Sequence, residues 1–258
     1  MEVRVERDGA VAVVTIDNPP MNVLGAPVVG GLLQAFAQLE RETGVRAVVL
    51  CGAGTRAFVA GADIREFPAL LARSGAAADF AANLHALMDT VDRFGRPVIA
   101  ALHGHVLGGG MELALACDLR VADETVHLGL PEVKLGILPG AGGTQRLPRL
   151  IGAARAKWMM FTGEPVPATT AEQWGLVDTV TPPGKAVETA VALATTIAER
   201  SAQAVARIKR AVNAGLDLEL SQGLALEMEL FDDVFLTEDS REGIEAFLQK
   251  RPPRMNDR

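Results

Sequence analysis

A chain of 258 residues, 49% hydrophobic and 22% charged, can bury one large core with an appendage. A net charge of −7 and a pI of about 5.2 argue against nucleic-acid binding as the main role. Mean hydropathy is +0.21, yet charges interrupt every apolar run before it reaches membrane-span length. The two cysteines, Cys51 and Cys117, each sit in an apolar segment, so they read as buried thiols of a reducing, cytoplasmic compartment.

Met1 to Arg7 alternates as a strand does and lacks the basic start and apolar stretch of a secretory signal. Val11 to Ile16 is a β-branched run ended by the turn signal Asp17-Asn18-Pro19-Pro20. Pro27 to Glu42 puts Val28, Leu32, Leu33, Phe36 and Leu39 on one side, which predicts a helix. The short apolar run Val45 to Leu50 predicts a strand buried on both faces. Ala76 to Phe94 is a second helix, with Phe80, Leu84, Leu87, Met88 and Val91 as its buried stripe. Pro97 to Leu102 is another buried strand, His103 to Leu107 a loop, Met111 to Ala116 the start of a helix, and Leu119 to Ala122 a strand. This alternation predicts a mainly parallel sheet with crossover helices.

Beyond Gly152 the pattern is almost wholly helical. Ala168 to Trp174 has Thr169 and Thr170 as candidate caps and Gly175 as its stop. Glu188 to Arg200, Ser201 to Ala214, Leu218 to Leu236 and Asp239 to Lys250 follow. The natural division is a core over residues 1–190 and a helical subdomain over 191–258, with Pro182-Pro183-Gly184 as the hinge candidate.

Three loops carry the chemistry. Gly108-Gly109-Gly110 runs into a helix with Glu112 in its first turn. Glycines let backbone approach a ligand, and a helix N-terminus offers N–H donors to an anion, although three glycines also serve simply to pack a helix on a strand. Gly61-Ala62-Asp63 again exposes backbone among small residues, and Asp63 reads first as the cap of a following helix. The third loop carries Glu132, after Pro131 and before Gly140-Ala141-Gly142-Gly143, which opens a helix near Thr144. In apolar surroundings such a glutamate has a raised pKa and can act as an acid near neutrality. Glu112 and Glu132 are 20 residues apart, so they meet only if the fold joins their loops.

Together Asn18 to Leu24, Ala57 to Ile64, Gly104 to Ala114 and Pro131 to Leu147 resemble the crotonase superfamily, and within it the enoyl-CoA hydratases. The likeness continues through Ala171 to Asp178 and Glu238 to Leu248. It implies an α/β fold, a spiral of ββα units with a helical C-terminal trimerisation region, and trimers that stack into a hexamer. It also implies an oxyanion hole made of the Ala62 and Gly109 N–H groups, gripping the thioester carbonyl of an acyl-CoA. Ala60, Gly61, Asp63, Ile64, Gly108 and Gly140 would touch the substrate or its CoA, which is part of the substrate, so no separate cofactor and no metal are implied. Hydratases of the superfamily carry both glutamates. Glu112 would activate the water that attacks C3 and Glu132 would manage the proton at C2. The implied reaction is hydration of a trans-2-enoyl-CoA to a 3-hydroxyacyl-CoA in fatty-acid breakdown.

Other chemistries of the superfamily compete, chiefly Δ3-Δ2 isomerisation, which needs one carboxylate, and hydration of branched or carboxylated enoyl-CoAs. A relative binds RNA through a lysine-rich helix, but residues 26–43 hold only Arg41 as a cation. A non-catalytic acyl-CoA-binding scaffold has no positive support, and Gly140-Ala141-Gly142-Gly143 lacks the G-x-G-x-x-G spacing of a dinucleotide site. His103 and His105 replace a small polar residue and an aromatic; with no further ligand at a suitable spacing they read as loop packing rather than a metal site. The basic tail with Lys250, Arg251 and Arg254 reads as solvated.

Overall fold

A computed structural model describes residues 2–256. Met1, at the head of the expected first strand, and Asp257 and Arg258, at the end of the expected helical subdomain, lie outside the described residues. The chain opens with a hairpin of β1 (Val3–Asp8) and β2 (Val11–Ile16), turned at Gly9 with φ +58°. Helix α1 (Ala26–Arg41) then crosses to β3 (Ala47–Gly52), and β4 (Ala57–Val59) follows. A 3-10 turn (Ile64–Glu66), α2 (Phe67–Leu71) and α3 (Ala76–Asp92) lead to β5 (Val98–Leu102) and β6 (His105–Leu107). Next come α4 (Gly109–Ala116), β7 (Leu119–Asp123), β8 (His127–Gly129) and a second 3-10 turn (Pro131–Leu135). After α5 (Gly143–Ile151), α6 (Ala153–Thr162), β9 (Val166–Pro167), α7 (Ala168–Trp174) and β10 (Thr179–Thr181), the chain ends in α8 (Ala186–Ala198), α9 (Ala202–Gly215), α10 (Leu220–Phe235) and α11 (Glu238–Leu248).

The strands sort into two sheets, ordered β1-β2-β3-β5-β7-β10 and β4-β6-β8-β9. From β3 to β8 each turn of the chain lays one strand on the large sheet and the next on the small one before a helix follows, and β9 and β10 then join the small and the large sheet in turn. This is the ββα spiral of the crotonase fold. It corrects one expectation: His103 to Leu107 is not all loop, because His105–Leu107 forms β6 in the small sheet. A three-residue strand is too short to show a period-2 pattern in the sequence.

The buried runs of β3 and β5 serve two cores at once because alternate side chains leave opposite faces. Val48, Leu50, Val98, Ala100 and Leu102 join the main core with α1, α3 and α4. Val49, Cys51, Ile99 and Ala101 meet Ala186, Ala190, Ala194 and Ala198 of α8, spaced one turn apart. Alanine there lets α8 lie close on the sheet, and residue 190, the expected boundary, falls inside it. Thr169 and Thr170 do not cap α7, which starts at Pro167 without a side-chain cap. Proline fits a helix start with no donor lost.

Helices α9 and α10 pack on each other, and Lys209 of α9 donates to Asp118 Oδ2 at 2.8 Å, fastening them to the core. No helix among the described residues is long and apolar enough to cross a membrane.

Candidate active site

Three parallel strands of the small sheet explain how residues far apart in sequence converge. Val59 of β4 pairs with Val106 of β6, and Leu107 of β6 pairs with Gly129 of β8. All three strands therefore end at one edge, and the segments 60–64, 108–112 and 130–143 leave from it side by side. Ligands of parallel sheets gather outside such carboxyl ends.

From β6 the chain turns through Gly108 at φ +52°, with its N–H on Gly129 O at 2.9 Å, and enters α4. A side chain at Gly108 would stand 3.0 Å from Glu132 Oε1. Gly110 lies flat against β4, where a methyl group would overlap the Val59 carbonyl oxygen. That contact seats α4 beside the 60–64 segment, so closely that a methyl group on Gly109 would stand 3.5 Å from the Ala62 nitrogen. Leu24 pairs with Ala62 by accepting from Asp63 and donating to Gly61 O, so neither bond uses the Ala62 N–H. Gly109 is the first residue of its helix and has no intrahelical acceptor. Two backbone donors thus stand together at the floor of the site.

Glu112 is buried in the first turn of α4, and its Oε1 accepts from Ala141 N at 2.7 Å and Gly143 N at 2.8 Å. Burial pushes its carboxyl up from the ordinary value, while the Gly143 and Ala141 amides pull it back down, helped by the charges of His85 and Arg146. Glu132 follows Pro131 in the second 3-10 turn, and its Oε2 is buried with no hydrogen-bond partner in the structure. Burial, with the nearby charge of Glu112 adding to it, pushes the Glu132 carboxyl up to about 7. The Glu132 backbone amide pulls against that rise, so burial raises both glutamates, but Glu112 Oε1 holds two amides while Glu132 Oε2 has no partner.

Both line a cleft of about 730 Å³. Ala60, Gly61, Ala62, Ile64, Gly108, Gly109 and Gly140 line it too. Asp63 does not. Its carboxylate caps the first 3-10 turn through Arg65 N at 3.0 Å and pairs with the Arg65 guanidinium at 2.6 Å. The far wall is apolar: Phe67, Leu70 and Leu71 of α2, Phe80 and Leu84 of α3, and Ile137 and Leu138. Phe80, expected in the buried stripe of α3, is partly buried against the core, and it also lines the cleft and meets Phe67 edge-on at 5.7 Å. The amides of Ala141 and Gly143 are functional groups that the sequence shows only as a glycine-rich wall.

His103 is buried with Nε2 unpartnered, whereas His105 is exposed beside its register partner His127, with ring centroids 6.0 Å apart. No group of three His, Cys, Asp or Glu side chains among the described residues is placed to hold a metal ion. In the basic tail, Arg251 is committed to Glu242 at 2.6 Å.

The chain matches the family model described as enoyl-CoA hydratase/isomerase over residues 6–258. It belongs to the enoyl-CoA hydratase/isomerase family. It is 42% identical over 247 residues to a probable enoyl-CoA hydratase of Bacillus subtilis (strain 168), covering 95% of each chain. It is 39% identical to a short-chain-enoyl-CoA hydratase of Clostridium acetobutylicum, covering 95% of this chain and 94% of that one. The crystal structure of an enoyl-CoA hydratase from Bacillus anthracis superposes with a TM-score of 0.95 at 37% identity, covering 100% of both chains. The family's crotonase fold is thus this chain's fold, from hairpin to terminal helices.

Proposed function

We propose that the protein hydrates a trans-2-enoyl-CoA to a 3-hydroxyacyl-CoA. The observation that carries this reading is the unlike pair of carboxylates, Glu112 and Glu132, in one apolar cleft beside two free-standing backbone donors. The Ala62 and Gly109 N–H groups donate to the thioester carbonyl oxygen, and preorganised donors in a water-poor site favour the enolate as it forms. Glu112, oriented by Ala141 and Gly143, takes a proton from water as the water oxygen bonds to C3. The C2–C3 π electrons move into the enolate. Glu132, protonated near neutral pH, gives its proton to C2 as the carbonyl re-forms. Water has then been added across the double bond, and the two carboxylates exchange protons with solvent before the next turnover. CoA arrives with the substrate along Ala60 to Ile64, and the α2 and α3 wall takes the acyl chain. The substrate brings all the chemistry needed, so the reading includes no separate cofactor and no metal. Two buried free cysteines fit a cytoplasmic setting.

The same reading makes the protein a trimer or a dimer of trimers. Leu224, Met228, Phe231 and Phe235 of α10 are exposed at spacings of three and four residues, and Leu216, Phe247 and Leu248 are more exposed still. A stripe of that size suits a second copy of the chain.

The test is hydration of crotonyl-CoA, followed by loss of the conjugated thioester absorbance, with wild type, Glu112→Gln and Glu132→Gln. Activity in wild type and its loss in both variants supports the two-carboxylate reaction. An inactive wild type sinks hydration of simple enoyl-CoAs. A variant that still isomerises a 3-enoyl-CoA points to the one-carboxylate chemistry instead.

A further inference from the structure

Arg146 has no part in the reaction proposed above, yet three observations tie it to Glu112. Its guanidinium lies against the Cα of Gly142, where a methyl group would overlap Nη1, and Gly142 has φ +107°, open to glycine alone at little cost. Its Nη2 donates to Asp89 Oδ1 at 3.3 Å, which joins α5 to α3. Ala141 and Gly143, on either side of Gly142, are the residues whose amides hold Glu112 Oε1.

We propose that Arg146 is a positioning residue: held between Gly142 and Asp89, it fixes the 141–143 segment so that its amides reach Glu112 Oε1. The charged groups around Glu112 are few. His85 and Asp89 come from α3, Arg146 from α5 and Glu132 from the second 3-10 turn, while β4 brings no titratable side chain and His105 of β6 is exposed. Burial raises the Glu112 carboxyl, and after the two amides the charges of His85 and Arg146 act against it. The guanidinium of Arg146 is also always charged, so its effect persists at every working pH.

The kinetic part rests on the reading of Glu112 as the base. The closing experiment therefore has a readout that does not. The Glu112 carboxyl is titrated by carbon NMR in wild type, Arg146→Gln and Arg146→Lys, assigned by its absence in Glu112→Gln. The pH profile of enoyl-CoA hydration is recorded beside it. In Arg146→Gln the Glu112 midpoint is expected to rise by about half a unit or more, the size of a lost partly exposed cation. The acidic limb of kcat should move with it, about threefold in rate below the midpoint, with KM nearly unchanged. Arg146→Lys should restore most of the limb. Arg146→Met keeps the apolar stem and replaces the glutamine variant if that one does not fold. An unmoved Glu112 midpoint in the charge-removing variants overturns the proposal, as does activity lost equally at all pH. If wild type hydrates nothing, the reading of the reaction has failed, and the NMR titration still decides the role of Arg146.

Discussion

Glu132→Gln should make the protein more stable at pH 8 and no more stable, or slightly less so, near pH 4. The carboxyl is buried, one oxygen has no partner, and its pKa rises from 4.5 in an open chain to about 7 in the fold. The sign follows from linkage. Below pH 4.5 both folded and unfolded chains carry the proton, and the group costs nothing. As pH rises towards 7 the unfolded chain ionises freely while the folded one resists, and stability is lost until the folded group also ionises. At about 1.4 kcal/mol per unit, the full loss is about 3 kcal/mol. Glutamine has the same shape and does not titrate, but its buried amide still wants a partner, so a gain of about 1–3 kcal/mol is expected. For a chain of this size that is a melting-temperature rise of about 2–10 °C. The assay is thermal and urea unfolding of both proteins at pH 4 and pH 8, at one protein concentration because association shifts apparent stability. A stability difference of equal size at both pH values would refute the argument. So would a wild type that is the more stable protein at pH 8.

Gly110→Ala should cost about 3 kcal/mol or more and abolish most folded protein, read by circular dichroism, because its methyl group would meet Val59 backbone with no side chain to move aside. Lys209→Met should cost about 3–5 kcal/mol by stranding the buried Asp118 carboxylate, and Lys209→Met with Asp118→Asn should recover part of it in urea melts. Phe231→Glu with Met228→Glu should shift the protein to a monomer in sedimentation, since both side chains are more than 60% exposed on the apolar stripe of α10. Cys117, buried and pushed up to about 12, should resist alkylation at pH 8 until the chain unfolds.

The long elements were legible in the sequence because their periods were. The stripe of α1, with Val28, Leu32, Phe36 and Leu39 buried, is the one the spacing predicts. Continuous runs such as Val98 to Leu102 announced burial on both faces, and the structure supplies one core for each face. What escaped was short or non-local. Strands β4, β6 and β8 have three residues each, too few to carry a pattern, yet their shared edge is what brings Glu112 and Glu132 together. The cap role of Asp63 was written in the residue type, and it is the one expected substrate contact that turns away from the cleft. Ala141 and Gly143 escaped because a backbone amide has no letter in a sequence.

The site's chemistry depends on inequality between two like groups. Two carboxylates sharing one cleft repel as anions, which splits their titration, and their surroundings decide which of them keeps the proton. The fold separates them by giving one oxygen of Glu112 two amides from the 141–143 segment, while Glu132 Oε2 is buried with no partner. That difference is built from glycines: Gly108 clears the space that Glu132 occupies, and Gly143 brings its amide within 2.8 Å of Glu112. Any side chain at Gly143 would stand 3.0 Å from Glu112 Oε1, Leu130 and Pro139 at once, so the amide could not come so close. The unpaired Glu132 oxygen costs stability as pH rises from 4.5 towards 7. The face of the sheet under α8 packs on alanines and carries no group of the site. Substitutions there should change melting without moving the pH profile, whereas substitutions at the 108 and 141–143 segments should move both, because Gly108 and Gly142 hold positive φ and Gly143 is hemmed in by three side chains.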